Sequence, residues 1–106
     1  MPIIVDTERF FKANDFSNPK IVFKKAREYL GKDVIIRVSD KAKKKYMVFN
    51  PDTRKWVYFD QVGYEDFTKH GDQLRRENYL RRTENIKGEW KQNKYSPNNL
   101  SRNILW

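Results

Sequence analysis

The segment RRENYLRR, residues 75–82, places four arginines around one tyrosine. On a helix of about 3.6 residues per turn, Arg75, Tyr79 and Arg82 share one face. Guanidinium groups beside an aromatic ring can bind phosphates and stack on bases, and the same composition is typical of anchors in protein interfaces. The segment is therefore predicted to be a contact surface, either for nucleic acid or for a protein.

Acidic residues stand close to these arginines in the sequence. Asp72 precedes Arg76 by four residues, and Glu77 precedes Arg81 by four, which is the favourable order for ion pairs within a helix. Such pairs would neutralise two of the four arginines from within the helix. This pattern favours a framework and docking helix over one dedicated to phosphate binding.

A second candidate surface lies in a predicted β-hairpin. The turn-forming segment NPDTR separates KYMVFN (45–50) from KWVYFD (55–60), and Lys43, Lys44 and Lys45 end the run KAKKK. Alternation predicts two faces, Met47, Phe49, Val57 and Phe59 on one, and Tyr46, Val48, Trp56 and Tyr58 on the other. Lysines beside Trp56 resemble the phosphate and stacking chemistry of single-strand binders, but packing of Trp56 beneath a helix explains the same pattern.

Catalytic and metal-binding patterns are weak. Asp66, His70 and Glu77 could be imagined as metal ligands, but His70 is the chain's one histidine. The sequence has no glycine-rich phosphate loop, no cysteine and no Ser–His–Asp pattern. We therefore predict no metal, no cofactor and no enzymatic activity.

The composition predicts one small folded domain. The 106 residues include 16 aromatic residues and carry a net charge of +9. The aromatic content argues against disorder, and the charge favours an acidic partner such as nucleic acid, an anionic membrane surface or an acidic protein face. No run of 18 apolar residues occurs, so we expect no transmembrane segment.

The element pattern predicts an α+β fold, in which a small antiparallel sheet of about three strands packs with N-terminal and C-terminal helices. The predicted strands are 33–39, 45–50 and 55–60, and the predicted helices are 19–30, 73–84 and 97–104. Asn18 before Pro19 favours a helix start, and Gly31 favours its end. Residues 2–5 are predicted to form a short strand or apolar arm, followed by a short helix carrying Phe10 and Phe11.

The chain ends on Ile104, Leu105 and Trp106. An exposed end of this composition would be a sticky apolar patch. We therefore expect these residues to be docked, either in the protein's own core or on a partner.

Four segments carry a resemblance to a known group of proteins. In chain order they are KKYMVFNPDTRKWVYF, GYEDFTKH, RRENYLRRTENIKGEW and YSPNNLSRNILW. Together they resemble a family of small basic proteins from giant nucleocytoplasmic large DNA viruses, of mimivirus-like and chlorella-virus-like lineages. The resemblance covers about residues 43–106 of the single domain 1–106, whereas 1–42 form an N-terminal helix and strand region outside it. Asp60 departs from the pattern, where the family has glycine.

The resemblance implies a viral source and brings no catalytic residues. We therefore expect a non-enzymatic virion protein, a minor capsid component that docks between larger coat proteins, located in the virion and in the host cytoplasm during assembly. The alternative is sequence-independent binding of DNA or RNA, and an acidic membrane surface is a further candidate partner. The predicted contact residues are Lys43, Lys44, Lys45, Trp56, Arg75, Tyr79 and Arg82.

Overall fold

The computed structural model describes residues 16–106. Its elements are, in order, α1 (Pro19–Leu30), β1 (Ile36–Val38), β2 (Lys44–Asn50), β3 (Lys55–Gln61), α2 (Phe67–His70), α3 (Gln73–Glu84), a 3₁₀ turn (Trp90–Gln92), α4 (Pro97–Leu100) and a π turn (Ser101–Leu105). The predicted α+β fold is confirmed. The strand or arm predicted at 2–5 and the helix predicted around Phe10 and Phe11 lie outside the described residues.

Local capping explains where the helices begin. The Asn18 side chain accepts a hydrogen bond from the Ile21 amide, and Pro19 is the first residue of α1. Asp72 accepts from the amides of Leu74 and Arg75 at the start of α3. The predicted starts of α1 and α3 are therefore confirmed at the level of the capping atoms.

The sheet is antiparallel with strand order β1-β2-β3. Tyr46 lies opposite Phe59, and Val48 lies opposite Val57, so each pair shares one face. Ile36 and Val38 of β1 extend this face. It packs against α1 and the end of the chain, and the resulting core also contains Val22, Ala26, Leu100, Ile104 and Leu105.

The predicted faces of the hairpin are wrong for one strand. The predicted faces require an odd number of residues between the last pair of opposite residues in the two strands. In the structure that last pair is Asn50 and Lys55, and the four residues 51–54 lie between them. Because side chains alternate with a period of two, this difference of one residue moves every side chain of one strand to the opposite face. Met47 and Phe49 therefore share the outer face with Trp56 and Tyr58.

The last three residues pack against the protein itself. Ile104 and Leu105 are fully buried, and Trp106 is 8% exposed. The Arg76 Nε donates a hydrogen bond of 2.6 Å to the Trp106 carbonyl oxygen, and the Tyr79 ring stacks on the indole. The end of the chain thus holds α3 against the core.

Truncation of Ile104 should test how much this end contributes. We expect Ile104→Ala to lower the free energy of unfolding by about 2–5 kcal/mol, because it removes a fully buried side chain and leaves a cavity. Ile86→Ala is the matched control, since Ile86 is 48% exposed, and it should change stability by less than about 0.5 kcal/mol. Urea denaturation of both variants measures the difference, and equal losses would contradict the assignment of Ile104 to the core.

Candidate docking groove

A groove of about 510 Å³ lies between α3 and a wall formed by the end of β3 and the segment that follows it. One wall consists of Asp60, Gln61, Tyr64 and Glu65, and the other of Arg75, Asn78, Tyr79, Arg82 and Trp106. The predicted trio Arg75, Tyr79 and Arg82 is therefore brought together with the buried end of the chain.

The aromatic side of the groove is a rigid stack. The Tyr79 and Trp106 rings are parallel within 10°, with centroids 4.1 Å apart, and the His70 ring lies 5.2 Å from the indole on a tilted axis. Burial raises the pKa of Tyr79 to about 12, whereas the nearby Ser101 hydroxyl acts in the opposite direction. Tyr79 was expected on an outward face, but its ring is half-buried against Trp106.

The rim of the groove is cationic and aromatic. Arg75 and Arg82 are both exposed, and the Arg82 guanidinium lies 5.5 Å from the centre of the Tyr79 ring. Arg75 has one long ion pair, 3.8 Å from Nη1 to a Glu65 carboxylate oxygen, and both side chains are about half exposed. Exposed pairs of this kind stabilise little. Tyr64 is 70% exposed, so its ring remains available for contact.

The two ion pairs predicted within α3 are not found among residues 16–106. The Asp72 carboxylate caps the helix, whereas the Arg76 guanidinium binds the Trp106 carbonyl and lies 5.6 Å from the Phe67 ring. Glu77 accepts a hydrogen bond from Gln73. The prediction was wrong because helix spacing identifies acids within reach, but capping and tertiary contacts compete for the same groups.

Lys45 was predicted to contact a partner, but its side chain is only 1% exposed. Its ammonium lies 3.0 Å from an Asp60 oxygen and 3.2 Å from an Asp66 oxygen. It also donates to the backbone carbonyls of Phe16 and Tyr64. Lys45 therefore cannot reach a partner, which corrects this part of the prediction.

The aromatic surface around Trp56 is partly covered by cations. The Arg37 guanidinium lies 5.1 Å from the centre of the Trp56 ring, and Phe49 meets that ring edge-on at 5.4 Å. Lys43 is exposed and Lys44 half-buried. As far as the described residues go, neither Trp56 nor any of lysines 43–45 lines the groove. The predicted contact residues therefore do not form one surface.

The three imagined metal ligands have other roles. The buried Asp66 carboxylate binds Lys45 and accepts from the Thr68 hydroxyl. The His70 Nδ1 accepts a hydrogen bond of 2.9 Å from the Asp72 amide. Within residues 16–106, no group of three or more His, Cys, Asp or Glu side chains is placed to hold a metal ion.

Comparison with known proteins gives one match. Residues 34–83 match the model of a family of unknown function, DUF5754. Neither a curated protein nor a solved structure matches the chain. The matched range contains the whole sheet and every groove residue except Trp106. The description of that family names no activity, so the resemblance to viral proteins stays a prediction.

Sequence reasoning missed the opposite wall of the groove. Tyr64 and Glu65 lie in a loop, where no periodic pattern distinguishes one side chain from the next. Asp60 did carry a signal, since it stands where the resembled family has glycine. Its φ of 64° lies in the left-handed region that favours glycine. An aspartate is tolerated there, and it places a carboxylate beside Lys45.

His70 connects the start of α3 to Trp106. Because Nδ1 accepts from the Asp72 amide, the neutral ring carries its proton on Nε2, which is buried and has no hydrogen-bond partner among the described residues. Burial lowers the pKa of His70, with a smaller contribution from Arg75, while the facing acids Asp72, Glu65 and Asp66 act in the opposite direction. A second proton would place an N–H on Nδ1 against the Asp72 amide.

Stability should therefore depend on pH through His70. Because its folded pKa is lowered, the unfolded chain binds the proton more tightly, and stability is lost as pH falls through the ordinary histidine value of about 6.5 toward the folded pKa. Urea midpoints at pH 7.5 and 5.5 measure this loss. His70→Asn offers an amide oxygen as acceptor and cannot titrate, so its midpoint should change less. Equal changes in both proteins would contradict the role assigned to His70.

Proposed function

We propose that this protein is a non-enzymatic virion component of a large DNA virus, a minor capsid protein that docks onto larger coat proteins through the groove beside α3. The viral setting, in the virion and in the host cytoplasm during assembly, rests on the resemblance described above. The docking role rests on one observation, a groove with a stacked aromatic side and a cationic rim.

The composition of the groove supports a protein partner. Aromatic and arginine side chains dominate the binding energy of protein interfaces when they are fixed before binding. The stack of Tyr79 on Trp106 fixes one side, and the exposed ring of Tyr64 offers apolar area on the other. An apolar or aromatic side chain of the partner can enter between them.

The charge of the rim supports an acidic segment on that partner. Among the described residues, Arg82 has no ion pair, and Arg75 has only the exposed pair with Glu65. A partner carboxylate would replace a weak pair rather than a strong one. None of the helices in residues 16–106 combines the length and apolar character of a membrane span.

Nucleic-acid binding is the second candidate. The observation that favours it is the exposure of Arg75, Arg81 and Arg82 on one helix, without the internal neutralisation that the sequence predicted. The arguments against it are the burial of Lys45 and the covering of Trp56 by Arg37. These two contacts reduce the surface predicted for stacking combined with phosphate contacts, and they support docking as the first proposal.

Charge reversal at the rim tests docking. Arg75→Glu with Arg82→Glu should reduce incorporation into particles by about tenfold or more, because two interface anchors would repel an acidic partner. Lys20→Glu with Arg27→Glu is the matched control, since both residues are exposed on α1 and the charge change is equal. Quantitative mass spectrometry of purified virions measures incorporation. Absence of the protein from virions would overturn the viral role, and equal incorporation of both variants would overturn the groove.

A titration of the isolated protein with duplex and single-stranded DNA separates the two candidates. If nucleic acid is the partner, log affinity should fall with log salt by about 0.7–0.9 per phosphate neutralised. Replacement of Lys43, Lys44, Arg75 and Arg82 by alanine should then abolish binding. The docking proposal predicts only weak binding of the isolated protein to either form of DNA. Tight binding at physiological salt that is lost in the fourfold variant would favour the nucleic-acid function.

A further inference from the structure

One lysine and two aspartates meet in the interior, next to the groove. The Lys45 ammonium is 1% exposed, and it lies 3.0 Å from the Asp60 carboxylate and 3.2 Å from the Asp66 carboxylate. Asp66 is completely buried, whereas Asp60 is 19% exposed and also lines the groove. The three side chains therefore form a buried cluster that reaches solvent only at Asp60.

The charges of this cluster do not balance. Two carboxyl groups share one amino group in a largely buried site, so one carboxyl group has no cation of its own. Burial raises the pKa of Asp60, although Lys45 acts in the opposite direction. Asp60 is thus the member of the cluster that can take up a proton.

We propose that Lys45 and Asp66 join in an intramolecular isopeptide bond, with Asp60 carrying the proton. Asp66 supplies the carboxyl group that the amine attacks, because two contacts hold this carboxyl group in place. Its Oδ1 accepts from the Thr68 hydroxyl, and its Oδ2 contacts Lys45 Nζ. The 3.2 Å contact between Lys45 Nζ and Asp66 Oδ2 keeps the amino group against that carboxyl group, and reactants held together in a largely buried site gain a large effective concentration.

The chemistry balances within the cluster. The Lys45 ammonium passes one proton to the Asp60 carboxylate, which hands it on to Asp66. The neutral amine attacks the Cγ atom of the resulting carboxylic acid, and a second proton from the nitrogen, carried by Asp60, joins the departing hydroxyl group to form water. A C–N bond forms, a C–O bond breaks, and the Asp60 carboxylate is restored. The groove beside Asp60 gives the water an exit.

The bond would link β2 to the segment before α2 and close the loop 45–66. Such a cross-link restricts the unfolded chain as a disulfide does, in a chain that has no cysteine. This inference does not depend on the docking function, because it concerns a reaction of the chain with itself.

The mass of the purified, denatured protein tests the proposal. We expect the wild type to be one water molecule lighter than its sequence. A succinimide would cause the same loss, so trypsin digestion must follow. The expected product is a branched peptide that joins residues 45–54 to residues 56–69, with fragmentation placing the link at Asp66. An unmodified mass, or a loss of water without the branched peptide, would overturn the inference.

Variants assign the roles. Lys45→Met and Asp66→Ala should both have the full mass of their sequences, and Asp60→Asn should form the bond far more slowly than the wild type. Asp33→Asn is the control, because Asp33 is exposed in the turn before β1 and should leave the bond intact. If a core variant fails to fold, the wild-type mass and branched peptide still decide the question. Bond formation at the wild-type rate in Asp60→Asn would refute the proton role of Asp60.

Discussion

Burial of the Lys45 ammonium as the chain folds, before any bond to Asp66 forms, is the interaction on which the rest of the structure depends. Transfer of an ammonium out of water costs roughly several kcal/mol, even after the surrounding protein relaxes, unless charges and hydrogen bonds replace the lost hydration. Here two carboxylates and the carbonyls of Phe16 and Tyr64 surround it. Because these groups come from distant parts of the chain, solvation of one side chain fixes the approach to α1, the end of β3 and the loop before α2.

That constraint also shapes the groove. The loop held by Lys45 carries Tyr64 and Glu65, which form one wall, and it leads directly into α2. The opposite wall is set by a separate set of contacts, because Arg76 and Tyr79 fasten α3 to Trp106. The groove thus lies between two independently anchored segments. Its walls are positioned by buried interactions, so binding of a partner need not order them.

The fold was largely predictable because its signals are local. Caps such as Asn18 and Asp72 act within three residues of their own position, and the structure confirms them. The prediction of the hairpin faces was wrong because one residue more or fewer in a turn moves every side chain of one strand to the opposite face, and the sequence of a turn does not show how many residues it contains. The prediction for Lys45 was wrong for a different reason. A lysine that ends a lysine run has the signature of a solvated loop, and the carboxylates that bury it lie 15 and 21 residues further along the chain.

The location of the acidic groups explains why the positive charge remains available for contact. Asp60 and Asp66 solvate Lys45, and Asp72 caps α3, so three acids close to the arginine helix are committed to internal tasks. Glu65, the acid that does approach Arg75, remains at the surface with a long contact. Among residues 16–106, acids used in this way leave the arginines of the rim without strong partners of their own. This arrangement is the physical basis of the proposal that an acidic segment of a partner binds at the groove.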